Sequence, residues 1–416
     1  MADRPINVTE PFLPPLEEYI DYLKGIWERN WLTNQGPLLK DLEEKLRDYH
    51  QIGLPVHCVA NGGLGLQIIL KAMGVGGEII TTPFTYVATA SCPLWEGCSL
   101  RFADIDPDHL TIDPAAVEAA ITPRTEAILG THVFGNPCDC DELERIARRH
   151  GLALIYDAAH AFGVRYKEKS ILEYGDASMV SLHATKLMHS VEGGFIVAKD
   201  PAVSGKVEWM RRFGHKGYED FHGVGTNAKM SEFHAAMGLC CLSHIEDILK
   251  KRKAICEAYD QALGLGAGGG EQGAGGREAN ALPPATGLLS TVFWRGRASR
   301  NYAYYPVIFD HEDLLLETLE RFRAGNIYPR RYFWPSLDEV EALQAPGAQP
   351  EAPRPTPHAQ SISRRIFCLP LSASMEADQL LRIIHLVNWS PQPHTPGPML
   401  PTPCSNPSNA HAPQRP

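Results

Sequence analysis

The chain has 416 residues, 44% of them hydrophobic, which is enough for one large enzyme domain with a smaller partner domain. Its formal net charge of −10 argues against a general nucleic-acid or membrane-surface binder, because either would need a basic field to attract phosphate. We therefore expect small molecules, or other copies of the chain, as its partners.

The cysteines and the N-terminus predict a reduced, cytoplasmic protein. Ten cysteines are scattered along the chain, and the closest group, Cys138 and Cys140, has no second pair at zinc-finger spacing. We expect free thiols and no metal site. The N-terminus has no apolar signal core, and no apolar run approaches the roughly 18 residues of a membrane span.

The first 50 residues predict two amphipathic helices. The segments LEEYIDYLKGIWERNWL (16–32) and LLKDLEEKLRDYH (38–50) both carry apolar residues at helical spacing. Gly36 and Pro37 separate the two segments.

From residue 56 to about residue 200, short apolar strands alternate with helical stretches. The predicted strands are HCVAN, GEIITTP, LRFADI, TEAILGTHV, LALIYDA, ASMVSLH and GGFIVAK. This alternation predicts an α/β fold with a mainly parallel sheet covered by helices. Such sheets bind ligands at the carboxyl ends of their strands.

The C-terminal half predicts a smaller α+β unit. A long helix pattern, MSEFHAAMGLCCLSHIEDILKKRKAICEAYDQAL (230–263), leads to it, and the strand-like YAYYPVIF and helix-like EDLLLETLERFRAGN follow. The predicted organisation is an N-terminal helical segment at 1–50, a large α/β domain at 51–245, a linker helix and small α+β domain at 246–390 with a flexible glycine-rich loop near 264–276, and a disordered proline-rich tail at 391–416.

The segment ANGGLGLQIILKAMG (60–74) passes from a short strand through two glycines into a helical run. Such a turn can direct free backbone N–H groups at an anion, most often a phosphate. The spacing is not the dinucleotide pattern G-x-G-x-x-G, and a tight turn without a ligand is an equal alternative.

The segment LALIYDAAHAFG delivers Asp157 and then His160 at the end of an apolar strand. The carboxylate could cap the following helix, or it could hold a proton on a heterocyclic nitrogen. Small Ala158 and Ala159 would let a flat ring approach the backbone closely.

The segment SLHATKLMHSVEGG (181–194) places Lys186 between two apolar strands. A single lysine is usually a solvated surface residue, but one held in a partly desolvated site loses its proton more easily and can form a Schiff base with an aldehyde. A phosphate-binding turn, a carboxylate for a ring nitrogen and such a lysine together match the requirements of pyridoxal phosphate.

The chain resembles the DegT/StrS-type nucleotide-sugar aminotransferases, which are pyridoxal-phosphate enzymes of the aspartate-aminotransferase fold (fold type I). The similarity extends from about Pro11 to Trp389, and its blocks are PPLEEYIDYLKGIWERNWLTNQGP, VANGGLGL, TTPFTYVATA, THVFGNP, YDAAHAFG, SLHATKLMHSVEGG, GTNAKMSEFHAAMGL, YPRRYFWPSL and FCLPLSASM. The resemblance implies an α/β large domain that binds the cofactor and a smaller α+β C-terminal domain.

The resemblance also implies roles around the cofactor ring. Lys186 would form the Schiff base and later move the proton at the substrate carbon. Asp157 would pair with the pyridine nitrogen, His160 would lie near the 3-oxygen, and Tyr86 would stack on the ring.

For the cofactor phosphate, the resemblance implies the N–H groups of Gly63 and Leu64 and the hydroxyl of Ser181. Asn227 matches a residue that family members extend to the phosphate from the neighbouring subunit, so a homodimer with shared active sites follows. Where this chain has Gly63 and Leu64, the family commonly has a Thr followed by Ser or Ala, so a side-chain hydroxyl to the phosphate is missing.

Within the family, the chain is most similar to enzymes that aminate a dTDP-4-keto-6-deoxyhexose at the expense of L-glutamate. We expect Thr33, His183, Arg331 and Tyr332 to contact the sugar nucleotide, although each could equally serve packing or surface roles.

Several alternatives stay open on the sequence. The chain could instead be an enzyme that aminates the 3-keto isomer, or a non-catalytic sensor that keeps the fold and the cofactor. A dehydratase on the same fold would replace the lysine by histidine, and Lys186 argues against it. A nucleotide-binding oxidoreductase would leave Lys186 and Asp157 without roles.

Overall fold

The computed structural model describes residues 4–264, 289–343 and 355–387 of the chain. The predicted glycine-rich loop near 264–276, apart from Gly264, and the predicted tail at 391–416 lie outside these described residues. The proposed domain boundaries stay a prediction.

Fourteen strands occur in the described ranges. They are β1 (Ile6–Asn7), β2 (His57–Val59), β3 (Glu78–Thr81), β4 (Ser99–Phe102), β5 (Thr125–Thr131), β6 (Ala153–Asp157), β7 (Arg165–Tyr166), β8 (Lys169–Ser170), β9 (Ala177–Ser181), β10 (Gly194–Ala198), β11 (Leu289–Ser290), β12 (Pro306–Phe309), β13 (Ile327–Tyr328) and β14 (Ile366–Cys368).

Twelve α-helices occur in the same ranges. They are α1 (Leu16–Arg29), α2 (Pro37–His50), α3 (Gly62–Met73), α4 (Ala88–Trp95), α5 (Pro114–Ala120), α6 (Cys140–His150), α7 (Pro201–Met210), α8 (Glu232–Ser243), α9 (Ile245–Ala262), α10 (Glu312–Ala324), α11 (Pro357–Arg365) and α12 (Ala377–Val387).

A seven-stranded sheet forms the centre of the larger part of the fold. Its strand order is β2-β10-β9-β6-β5-β3-β4, and β10 alone runs antiparallel to its neighbours. The seven strands predicted between residues 56 and 200 are the seven strands of this sheet. The α/β class with a mainly parallel sheet is confirmed.

Both faces of this sheet are buried under helices, which explains why its strands are apolar throughout. On β5, Ala127 and Leu129 pack in a cluster with Leu66 of α3, whereas Ile128 between them packs in a second cluster with Leu39 of α2. Successive side chains of a strand point to opposite faces, so each strand contributes to two cores.

A smaller core lies around the antiparallel sheet β11-β12-β14. Residues of α9, α10 and α12, among them Tyr259, Phe322 and Ile383, pack there against Val307 and Phe367 of the sheet. Strand β1 pairs in parallel with β13, which joins the beginning of the chain to this smaller core.

The prediction of one long helix over 230–263 is wrong in one respect, because the helix breaks at His244 into α8 and α9. His244 has φ −102° and ψ 4°, and the Ser243 hydroxyl donates a hydrogen bond to the Cys240 carbonyl at 2.7 Å. A serine that bonds to the backbone in this way competes with the helix.

The strand predicted for YAYYPVIF is shorter than expected, because only Pro306–Phe309 pairs in the sheet. The carbonyls of Tyr302 and Ala303 instead accept hydrogen bonds from the Arg252 guanidinium, at 2.8 and 2.6 Å. The residues before β12 therefore leave the sheet and run toward the larger part of the fold.

The strand directions decide where functional groups gather. Parallel strands β5, β6 and β9 end at Thr131, Asp157 and Ser181. These three side chains therefore lie at one edge of the sheet, where a ligand can reach them together.

Candidate active site

A cavity of about 260 Å³ opens at this edge of the sheet. Its walls come from the turn before α3, the residues before α4, the ends of β5, β6 and β9, and the loop between β9 and β10. Residues 330, 332 and 333, which follow β13, close one side. The larger and the smaller parts of the fold both contribute to the cavity.

Lys186 reaches the cavity from the loop between β9 and β10. The strands continue their pairing into this loop, since Leu182 N–H donates to the Gly193 carbonyl at 2.9 Å, and Lys186 N–H closes a turn on the His183 carbonyl at 2.9 Å. A Cβ atom at Gly194 would lie 2.9 Å from the Val180 carbonyl oxygen, so this position needs glycine.

The Lys186 amine sits in an environment that favours its neutral form. Burial lowers its pKa to about 8, while the charges of Asp157 and Tyr86 oppose the shift and Arg330 adds to it. Nζ donates a hydrogen bond to the Tyr304 hydroxyl at 3.4 Å. An amine with this pKa is available as a nucleophile near neutral pH.

Asp157 is buried at the end of β6 with both carboxylate oxygens engaged. One oxygen accepts from the Ala159 N–H at 3.0 Å and the other from the Thr89 hydroxyl at 2.8 Å. Burial raises the pKa of Asp157 above its ordinary value, and these two bonds and the charge of Lys186 oppose the rise. The carboxylate is held in one orientation, facing the cavity.

His160 is held as a neutral ring. Its Nδ1 accepts a hydrogen bond from the Phe134 N–H at 3.1 Å, so the ring proton is on Nε2. Burial, with a contribution from the charge of Lys186, holds the pKa of His160 well below its ordinary value. The ring lies nearly parallel to that of Phe333, with 5.9 Å between the centroids.

The N-terminus of α3 offers an anion site. Gly62 and Gly63 line the cavity, and a Cβ atom on Gly62 would come within 2.8 Å of the Met179 sulfur. The first N–H groups of a helix have no partner within the helix. The N–H of Leu64 donates to the Asn61 side chain at 2.8 Å, so the helix cap already uses it.

The structure brings most of the predicted site residues together. The cavity is lined by Gly63, Tyr86, Asp157, His160, Ser181, His183, Lys186 and Tyr332. The roles predicted for these residues stay predictions.

Four predicted site residues do not line the cavity of this chain. The Leu64 N–H is bonded to the Asn61 side chain that caps α3, and Thr33 is half-buried in the segment before α2. Asn227 is exposed, and its side-chain oxygen accepts from Lys229 Nζ at 2.5 Å. The Arg331 guanidinium pairs with Glu312 at 2.7 Å.

Sequence reasoning missed several residues that the structure places at the site, and three of them make contacts that bear on the chemistry. They are Arg330, which lines the cavity, Thr89, which bonds to Asp157, and Tyr304, which bonds to Lys186. The PRRY motif pointed to an arginine, but only the fold decides which of two adjacent arginines faces the cavity.

The fold and the site define an aminotransferase, and comparison with known proteins gives the family. The family model of the DegT/DnrJ/EryC1/StrS aminotransferases matches residues 16–388. The chain belongs to this family, which is a family of pyridoxal-phosphate enzymes, so the sensor and oxidoreductase alternatives are set aside.

Three relatives are similar over nearly their whole length. The dTDP-4-amino-4,6-dideoxy-D-glucose transaminase of Shigella dysenteriae is 36% identical, over 92% of this chain and 99% of its own. The enzyme of the same name from Escherichia coli is 34% identical, over 93% and 99%. The crystal structure of DesI in the presence of its TDP-sugar product superposes with a TM-score of 0.80, at 31% identity and 93% coverage of both chains.

The residues around the cavity fit pyridoxal phosphate. An amine with a lowered pKa, a buried carboxylate and a helix N-terminus meet in one cavity, and glycine at Gly62 leaves space that a side chain would fill. Lys186 would bond to the aldehyde, Asp157 would face the pyridine nitrogen, and Gly62, Gly63 and Ser181 would hold the phosphate.

The described residues meet neither the requirements of a metal centre nor those of a membrane span. In residues 4–264, 289–343 and 355–387, no group of three or more His, Cys, Asp or Glu side chains is placed to hold a metal ion. None of the helices in these ranges is long and apolar enough to cross a membrane. The nine cysteines described are free thiols.

The lowered pKa of Lys186 predicts how fast the cofactor-free protein captures pyridoxal phosphate. With a pKa of about 8, about a tenth of the amine is neutral at pH 7, against well under a thousandth for an ordinary lysine. Pyridoxal phosphate is added to the cofactor-free protein, and the rate of formation of the visible absorbance is measured between pH 6 and 10. We expect this rate to rise with pH, with a midpoint near the pKa of Lys186.

Two controls isolate this effect. Nα-acetyl-lysine reports the titration of the cofactor itself, and the Lys186→Ala variant should form no stable visible band at any pH. A protein midpoint equal to that of Nα-acetyl-lysine would contradict a desolvated Lys186.

Proposed function

We propose that this enzyme transfers the amino group of L-glutamate to dTDP-4-keto-6-deoxy-D-glucose and forms dTDP-4-amino-4,6-dideoxy-D-glucose. The proposal is supported by the similarity of nearly the whole chain to two dTDP-4-amino-4,6-dideoxy-D-glucose transaminases. The observation that carries the chemistry is the pairing of Lys186 and Asp157 in one buried cavity.

The residues of the chain divide the proton chemistry between them. When bound, pyridoxal phosphate supplies a ring that accepts the electrons of the C–H bond being broken. Lys186 Nζ takes the proton from the α-carbon of glutamate and, in the second half of the cycle, delivers a proton to C4 of the sugar. Asp157, held by Thr89 and Ala159, keeps a proton on the pyridine nitrogen.

The cavity mouth is suited to a sugar. His183 Nδ1 lies 2.9 Å from the Thr185 hydroxyl, and Nε2 lies 3.5 Å from a Glu192 oxygen. These half-exposed groups offer both donors and acceptors to sugar hydroxyls. Tyr332 supplies an aromatic wall on the other side.

Arg330 offers the cavity a positive charge. Its backbone is fixed by two hydrogen bonds to Cys368, at 2.8 and 3.3 Å, and its guanidinium lies 4.9 Å from the centre of the Tyr332 ring. Within the described residues no ion pair is found for it. We assign to Arg330, rather than Arg331, the binding of the glutamate carboxylate and the nucleotide diphosphate.

The homodimer is part of the proposal and is supported by the surface around Asn227. The segment before it exposes large apolar side chains, namely Phe213, Tyr218, Phe221 and Val224. Apolar residues in such numbers on one segment suggest a surface that a partner covers. A second copy covering this segment would bring Asn227 to the neighbouring cavity.

The proposed reaction is tested by product analysis. The purified protein is incubated with glutamate and either the dTDP-linked 4-keto or the 3-keto 6-deoxy sugar, and the product is examined by NMR. We expect a 4-amino sugar from the 4-keto substrate and the formation of 2-oxoglutarate. Amination of the 3-keto sugar alone would overturn the regiochemistry, and no amination with any donor would overturn the function.

Adjacent arginines provide a matched pair of variants. Arg330→Gln should raise KM for glutamate and sugar nucleotide about tenfold or more, because a charge-assisted hydrogen bond contributes about 1.5–3 kcal/mol. Arg331→Gln loses the pair with Glu312, a hydrogen bond to the Arg364 carbonyl and the contact with the Trp334 ring. None of these groups lines the cavity, so this variant should leave both KM values within about twofold. Equal effects of the two substitutions, measured by steady-state kinetics, would contradict the assignment.

Mixed dimers test whether Asn227 acts across an interface. Lys186→Ala and Asn227→Ala subunits are each defective, but a hybrid contains one intact site if the residues come from different subunits. After complete exchange, confirmed by native mass spectrometry, activity should return to about a quarter of the wild-type value. No recovery would mean that each site is built from one chain.

A further inference from the structure

Tyr304 contacts the reactive lysine but has no assigned role. Its hydroxyl accepts a hydrogen bond from Lys186 Nζ at 3.4 Å. Among the described residues, the amine has no other hydrogen bond. Tyr304 is buried and lies in the segment just before β12. Tyr304 packs in the larger core, whereas the next residue, Tyr305, packs in the smaller core, so the contact with Lys186 lies where the two cores meet.

Aromatic neighbours fix the Tyr304 ring. Its centroid lies 4.5 Å from that of His160, 5.4 Å from that of Tyr332 and 5.8 Å from that of Phe134. Rings packed on three sides have one accessible rotamer. The phenol oxygen is consequently held at one place beside Lys186.

The backbone that carries Tyr304 is fixed as well. Arg252 is buried, and its guanidinium donates to the carbonyls of Tyr302, Ala303 and Leu371, at 2.8, 2.6 and 3.0 Å. A buried guanidinium holding three neutral carbonyls fixes their positions, because leaving any of these charged donors without a partner is costly.

Asn301 ties the same segment to the loop after Asp157. Its side-chain nitrogen donates to the carbonyls of His160 and Phe162, at 2.8 and 3.0 Å, and its oxygen accepts from the Ala303 N–H at 3.2 Å. Segment 301–304 and the loop that holds His160 therefore form one rigid unit.

We propose that Tyr304 is a positioning residue for Lys186, whose phenol oxygen holds the amine in the orientation in which Nζ takes the proton from the substrate carbon and later returns it. The need arises once Lys186 is released from the cofactor, because a free lysine side chain has many rotamers. Tyr304 keeps Nζ within reach of the reacting carbon. This inference rests on the proposed role of Lys186 and is independent of which sugar is aminated.

The contact with Tyr304 should also affect the pKa of Lys186. Burial raises the pKa of Tyr304, so its oxygen stays a neutral acceptor. A hydrogen bond from an ammonium group is stronger than one from a neutral amine, so Tyr304 favours the protonated form of Lys186. Asp157 and Tyr86 act in the same direction, whereas burial and Arg330 favour the neutral form. The neutral His160 ring adds no charge of its own.

The Tyr304→Phe variant tests the proposal, since it removes the phenol oxygen and keeps the ring. The full-length, cofactor-free protein is acylated briefly between pH 6 and 10, and modification of Lys186 is followed by mass spectrometry. We expect the midpoint of the Tyr304→Phe profile to fall by about half a pH unit, a threefold change in the ratio of neutral to protonated amine. With cofactor and substrates, kcat should fall about tenfold while KM for glutamate changes less than about twofold.

Tyr305→Phe is the matched control. The Tyr305 hydroxyl donates to Asp260 at 2.7 Å in the smaller core and has no contact with Lys186. This variant should keep the wild-type acylation midpoint and the wild-type kcat. The same midpoint and kcat in Tyr304→Phe and Tyr305→Phe would overturn the role of Tyr304.

The two proposals fail in different ways. The acylation midpoint is measured without cofactor or sugar, so it reports on Tyr304 even if the enzyme aminates another substrate. A Lys186→Ala protein that keeps the visible band would remove Lys186 from the proposed chemistry, and with it the catalytic meaning of the Tyr304 contact.

Discussion

The site depends on one electrostatic constraint, which is that Asp157 and Lys186 share a cavity in which burial shifts the pKa of both groups. Burial alone would neutralise both groups, since it raises the pKa of the carboxyl and lowers that of the amine. Their mutual attraction and the two hydrogen bonds to Asp157 oppose this tendency. The result is a carboxyl group with a raised pKa beside an amine that can lose its proton near neutral pH, and a lysine-bound cofactor requires such an amine.

The strand order makes this constraint possible. Strands β6 and β9 are parallel neighbours in which Asp157 lies opposite Met179, so the end of one strand and the loop after the other open on the same edge. The reversed strand β10 brings Gly193 and Gly194 beside that loop, and the absence of side chains there allows the close approach. The sheet therefore positions Asp157 directly and fixes both ends of the loop that carries Lys186.

Residues from the C-terminal half of the chain complete the site with two buried phenols and one exposed cation. Tyr304 and Tyr332 are buried phenols, and Arg330 is the exposed cation at the cavity. Arg252 and Asn301 fix the segment that carries Tyr304, so the two parts of the fold meet through hydrogen bonds directly behind Lys186. Family membership gives the cofactor chemistry, and these contacts explain how this chain would position it.

The sequence by itself determined the seven strands of the central sheet and the choice of Lys186 and Asp157. Both follow from short-range patterns, namely apolar runs with a period of a few residues and the polar residues that end them. Only the tertiary structure decided that Arg330 faces the cavity while Arg331 pairs with Glu312, that the helix breaks at His244, and that Tyr304 meets the lysine. Neighbouring residues of an extended chain point in opposite directions, and the Lys186–Tyr304 contact spans 118 residues, so packing decides these two cases. The helix break coincides with a local bond of the Ser243 hydroxyl, but a serine can also lie within a helix without breaking it.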